Sequence, residues 1–120
     1  KSNGCIMLKP HILEDQNGLL ELKELSRSPT IKGVFVFKHS IRCSVSYMAY
    51  KGLKAMWRFD EIPFYYLDLI KFRKISDEVA SMFNLKHESP QLLFIKNGEC
   101  VQSASHFSFN VDTIQNWLNA

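Results

Sequence analysis

The chain has 120 residues, 46% of them hydrophobic and 22% charged, with a net charge of +3. Such a length and balance fit one globular domain over residues 1–120, with a core that needs no disulfide staples. The mild charge and the lack of a long basic run argue against nucleic acid as a partner, and no apolar run approaches the roughly 18 residues of a membrane span.

The apolar period switches regularly along the chain. Residues 4–8 (GCIML) predict a short first strand. Residues 17–28 carry Leu19, Leu20, Leu22 and Leu25, a helical pattern closed by Pro29. VFVFK at 34–38 is β-branched and aromatic, and apolar on both faces, as a central parallel strand is. From Val45 the apolar or small positions are 45, 48, 49, 52, 53 and 56, the spacing of a helix with one buried face. FYYLDLI at 64–70 predicts the next strand, with Asp68 ending it by local hydrogen bonding rather than carrying protons to a reactive group. The aromatics Trp57, Phe59, Phe64, Tyr65 and Tyr66 are expected in the core.

Ser76 is expected to cap a short helix, with Asp77 and Glu78 in its first turn and Val79, Ala80, Met82 and Phe83 on its packing face. QLLFIK and ECVQSAS flank Asn97-Gly98, a dipeptide that favours positive φ and so a tight hairpin. Asn110 caps a last helix with Val111, Ile114, Trp117 and Leu118 on one face. The predicted order is βαβαβαββα. Crossovers early and a hairpin late give an α/β fold with a mixed sheet covered by helices.

Reactive groups in open α/β sheets gather beyond the carboxyl ends of the central strands. Cys43 lies five residues past Lys38, at the start of the following helix. The unpaired amides and dipole of a helix N-terminus favour an anion, and the thiolate is the nucleophile in thiol chemistry. Lys38, His39 and Arg42 are the cations at hand to help hold it, with Arg42 the first choice, and Ser46 is placed with them as a thiolate-stabilising or thiol-docking residue. The commoner role of a lone cysteine is inert packing. Here the strand, the polar corner and the basic neighbours favour the reactive role. Position +3 is Ser46, so Cys-Ser-Val-Ser has no second thiol to resolve a mixed disulfide internally, and the chemistry reads as monothiol.

Before the hairpin, Ser89-Pro90 precedes a strand, where a proline costs no ladder donor. A cis bond there turns the Ser89 backbone toward an incoming chain. An ordinary trans bond is the default, since only about 5–6% of X-Pro bonds are cis. Cys5, Cys43 and Cys100 stand far apart, without Cys-x-x-Cys or metal-finger spacing, so no disulfide framework or zinc site is expected. His39, Cys43, His87 and His106 match no metal motif either. Free thiols point to a reducing cytoplasm. No leader sequence is visible, although the chain opens on Lys1.

A strand, Cys-x-x-Ser, a helix, then SPQLLFIKNGE and a terminal amphipathic helix resemble the thioredoxin fold. More narrowly, FKHSIRCSVS, YYLDLI, HESPQ and KNGE resemble the YtxJ-like bacillithiol-system family, the monothiol bacilliredoxins, over nearly the whole chain. The resemblance implies that Cys43 is the redox-active thiol and that Pro90 is a cis-proline facing it, with Ser89 and Pro90 forming the substrate groove. It implies S-thiolated client proteins as partners, no bound cofactor, and bacillithiol, a cysteinyl-glucosamine-malate thiol, as co-substrate. The malate makes that thiol anionic, which adds docking to the roles of Lys38, His39 and Arg42. A monomer is expected.

The chain departs from the thioredoxin pattern in having serine, not proline, after Cys43. Cys5 and Cys100 are read as packing or exposed residues rather than distant resolving thiols. The rival class is a non-enzymatic thioredoxin-like binding module, or a carrier of an iron–sulfur cluster held with an external thiol. The Cys-Gly-Phe-Ser signature of such carriers is absent.

Overall fold

The computed structural model describes residues 8–40, 42–105 and 110–120. The elements in chain order are β1 (His11–Ile12), α1 (Gln16–Leu25), β2 (Val34–His39), α2 (Ser44–Met56), β3 (Phe64–Asp68), α3 (Arg73–Met82), β4 (Gln91–Lys96), β5 (Glu99–Ser105) and α4 (Val111–Asn119). The order βαβαβαββα is the one expected from the periodicity. The sheet runs β1-β3-β2-β4-β5, with β1, β3 and β2 mutually parallel, β4 antiparallel to β2, and β5 antiparallel to β4.

Local chemistry sets most boundaries. Asp15 caps α1 by accepting from the Gly18 amide at 2.8 Å. Asn110 does the same for α4, accepting from Thr113 at 2.9 Å. Both satisfy amides that a helix start leaves without partners. At the hairpin, Asn97 and Gly98 take φ of 54° and 78°, the left-handed pair that a two-residue turn between twisted strands requires. The hairpin is tied to the end of α1, where Ser26 accepts from the Asn97 amide through its carbonyl and from the Gly98 amide through its hydroxyl, both at 2.9 Å.

One expectation falls mostly outside the described residues and another is corrected. The first described strand is His11–Ile12, whereas residues 4–7 of the strand expected at 4–8 lie outside the described residues and Leu8 is not in a strand. Ser76 does not cap α3: the helix begins three residues earlier at Arg73, and Ser76 is buried inside it. The true buried stripe is Ile75, Val79 and Phe83, spaced i, i+4, i+8. That stripe draws the helix back to Arg73 although Arg73 and Lys74 put positive charge in the first turn, where the dipole disfavours it.

Strand alternation divides the core into two layers. Phe35 and Phe37 of β2 and Leu92 and Phe94 of β4 face α2 and α4, packing on Ala49, Leu53, Ile114 and Trp117. Val34 and Val36 of β2 and Leu93 and Ile95 of β4 face α1 and α3, packing on Leu19, Leu22, Ile75 and Val79. Each such fully buried side chain contributes about 1.5–3 kcal/mol of transfer free energy. The layers matter for the site because they decide which side of β2 each of its last residues reaches.

Candidate active site

β2 and β3 run parallel, and their last register pair is His39 with Asp68. The chain leaves β2 at this end of the sheet and turns through Ser40 into α2. Cys43 is the N-cap of α2, with φ −101° and ψ 121°. Its amide donates to the Ser40 carbonyl at 3.1 Å, and its carbonyl accepts from the Tyr47 amide at 2.9 Å. These bonds fix the backbone at the corner. The side chain makes no cap bond, and the residue is partly exposed with a free thiol.

Ser46 is fully buried one turn on. Its hydroxyl accepts from the Ser40 amide at 3.0 Å and meets His39 Nδ1 at 2.7 Å. The serine at the position of a thioredoxin resolving cysteine is thus a clamp on the corner. His39 sits among aromatic rings, with centroids 5.8 Å from Phe37, 5.2 Å from Tyr50 and 5.5 Å from Tyr66. Burial lowers its pKa, opposed by the carboxylate of Asp68 and the bond to Ser46, so the imidazole is neutral at pH 7. The same apolar setting, with Asp68 and Tyr50, pushes the Tyr66 phenol up to about 12. Asp68 itself ends β3 and accepts from the Ile70 and Lys71 amides at 3.0 and 3.1 Å.

The three predicted cations do not share one face of the sheet. Arg42 precedes Cys43 in the chain and is exposed. Lys38 alternates with His39 and Phe37 and therefore points to the opposite face, toward α3, where it is fully buried. Its ammonium donates to His87 Nδ1 at 2.8 Å and reaches the Ser76 carbonyl at 3.5 Å. Loss of hydration brings its pKa from 10.5 to about 8, with Asp77 opposing and Arg73 assisting. His87, absent from the predicted site, is pushed down by burial, by Lys38 and by Arg73. The period-2 rule applied to residues 34–39 was the signal that separates Lys38 from His39.

The Ser89–Pro90 bond is cis, as the resemblance implied and the default reading did not. Pro90 is buried and stands one residue before Gln91, which pairs with Lys38 across β4 and β2. Pro90 therefore joins the sheet at the end from which β2 leads to Cys43. Cys100 packs against the α1–α3 layer, on the other side of the sheet from α2. Burial pushes its thiol up to about 11, a poor nucleophile at neutral pH. Cys5 lies outside the described residues. Among the described residues no cluster of three or more His, Cys, Asp or Glu forms a metal site, with His39 and His87 on opposite faces of the sheet and His106 outside those residues. No described helix is long and apolar enough to cross a membrane.

Solved structures share this architecture. A protein described as an oxidoreductase with a thioredoxin fold is 32% identical, with a TM-score of 0.75 over 88% of this chain and 90% of that one. Thioredoxins from Malassezia sympodialis and Halobacterium salinarum, at 14% and 12% identity, match with TM-scores of 0.70 and 0.69 and attest the fold alone. The first covers 99% of this chain and 96% of the thioredoxin; the second covers 92% and 88%. With Cys43 capping the helix after the central strand, the class defined is that of thioredoxin-fold oxidoreductases, proteins with a redox role. Residues 13–114 match the model of the monothiol bacilliredoxin BrxC. The chain belongs to that family.

Proposed function

We propose that this protein removes a low-molecular-weight thiol, bacillithiol or a close analogue, from mixed disulfides on client proteins in a reducing cytoplasm. The observation that carries the reading is Cys43: a partly exposed cysteine at a helix N-terminus, with no disulfide partner among the described residues, in a monothiol family. In the first step the Cys43 thiolate attacks the small-thiol sulfur of the mixed disulfide. That S–S bond breaks, the client leaves as a thiolate and takes a proton from solvent, and Cys43 keeps the small thiol. A second small thiol, as thiolate, then attacks the adduct and releases Cys43. Two molecules of small thiol end as its symmetrical disulfide and the client is reduced, so electrons balance with no further oxidant.

Ser46 supports the external second step, because its hydroxyl is held by Ser40 and His39 and offers no sulfur. Cys100 supports it too, being on the other sheet face with a raised pKa. With Lys38 buried and His39 neutral, docking of the anionic thiol falls to Arg42 among the predicted cations. The expected result with a bacillithiolated client is release of free client and a single adduct on Cys43, read by mass spectrometry. Cys43→Ser abolishes both. Full turnover by that variant, or an adduct on Cys100 instead, refutes the proposal.

A further inference from the structure

Residues 86–90 are the last part of the connection from α3 to β4 and carry Pro90 to the mouth of the sheet. They belong to no helix or strand. Among the described residues, the hydrogen bonds that reach this segment come from three side chains alone. Lys38 Nζ donates to His87 Nδ1 at 2.8 Å, Gln91 Nε2 donates to the Lys86 carbonyl at 3.1 Å, and the Ser76 hydroxyl lies 3.5 Å from His87 Nδ1. Lys38 and Gln91 are also cross-strand partners, so two of the anchors stem from one rung of the sheet. That rung immediately precedes His39 and the corner leading to Cys43.

An ammonium has donors and no acceptor, so the short contact requires His87 to offer a bare Nδ1 and to carry its hydrogen on Nε2. A methionine or leucine would fill the space of the Lys38 stem without burying a charge. The arrangement makes sense if the ammonium has a task, and the one strong bond that it makes is to the segment before Pro90. Gln91 is likewise buried, and its Oε1 has no partner among the described residues while its Nε2 is given to Lys86. Both side chains are buried, and both are bonded to the same five-residue stretch.

We propose that Lys38 and His87 are positioning residues of the exchange site, holding residues 86–90 and with them Pro90 in place for the incoming client chain. The inference rests on the thiol-exchange reading above. Neither residue touches the reacting sulfurs. They act by keeping in one position a segment that makes no backbone–backbone hydrogen bonds among the described residues, so that its presentation to a client requires no ordering on binding.

Two variants of His87 test it. His87→Leu removes the acceptor, and His87→Asn restores an acceptor oxygen near the place of Nδ1. Backbone order parameters from nitrogen-15 relaxation at residues 86–89 are expected to stay near about 0.85 in the parent and in His87→Asn, and to fall below about 0.6 in His87→Leu. For a bacillithiolated client protein, KM in His87→Leu rises on the order of tenfold with kcat within about twofold. Alkylation of Cys43 by iodoacetamide keeps its parental rate, and His87→Asn recovers the client KM. Unchanged order parameters in His87→Leu overturn the inference, as does a loss confined to kcat. No turnover by the parent, with the order parameters responding as expected, overturns the exchange reading alone.

Discussion

Ser46 occupies the third place after Cys43, where its hydroxyl accepts from the Ser40 amide and meets His39 Nδ1. Deleting it leaves an amide and a ring nitrogen without partners in a buried corner. Ser46→Ala is therefore expected to lower stability by about 1–3 kcal/mol, read from urea unfolding. An unaltered midpoint and slope would mean that the hydroxyl holds nothing. At this scale Cys43 was legible from its place after an apolar strand and before an amphipathic helix. His87 was not, because its partner stands 49 positions away and nothing near it in sequence announces a buried lysine.

Among the elements, those with a local start signal were read well. The hairpin Asn97-Gly98 and the cap at Asn110 stand where the residues put them, since each is a bond or a dihedral within three residues. α4 carries Ile114 and Trp117 into the core, so its cap bears on global stability. Asn110→Ala is expected to cost about 0.5–2 kcal/mol and Asn110→Asp much less, measured by thermal or denaturant unfolding. Equal losses in both variants would show that the side-chain oxygen is not the stabilising group. α3 was misplaced because Ser76-Asp77-Glu78 has the look of a helix start. Burial of Ile75 beneath the sheet and the use of Ser76 beside Lys38 and His87 outweigh that local preference.

For the molecule as a whole, the buried Lys38 makes a pH signature. Its folded pKa of about 8 lies below the ordinary 10.5, so between those values the unfolded chain binds more protons and stability rises with pH. Cys100 and the tyrosines, whose pKa values are raised, act in the opposite sense at high pH. Comparing the parent with Lys38→Met cancels them. The parent's unfolding free energy is expected to gain on that of Lys38→Met as pH goes from about 8 to 10.5, measured by urea titration at each pH. A flat difference would contradict a buried ammonium. On the acid side His39 and His87, both lowered, stabilise the fold above pH 6.5 and less as pH falls toward their folded values.

Short-range physics was sufficient for the order of elements, the turn, the cap of α4, and the placing of a lone thiol at the head of α2. Each depends on periodicity or on hydrogen bonds spanning a few residues. The strand order β1-β3-β2-β4-β5, the assignment of Lys38 and His39 to opposite faces, and the meeting of Lys38 with His87 were decided by the sheet. They depend on register between segments far apart in the chain, and such pairing is set by how two apolar layers close on one sheet, which no local window contains.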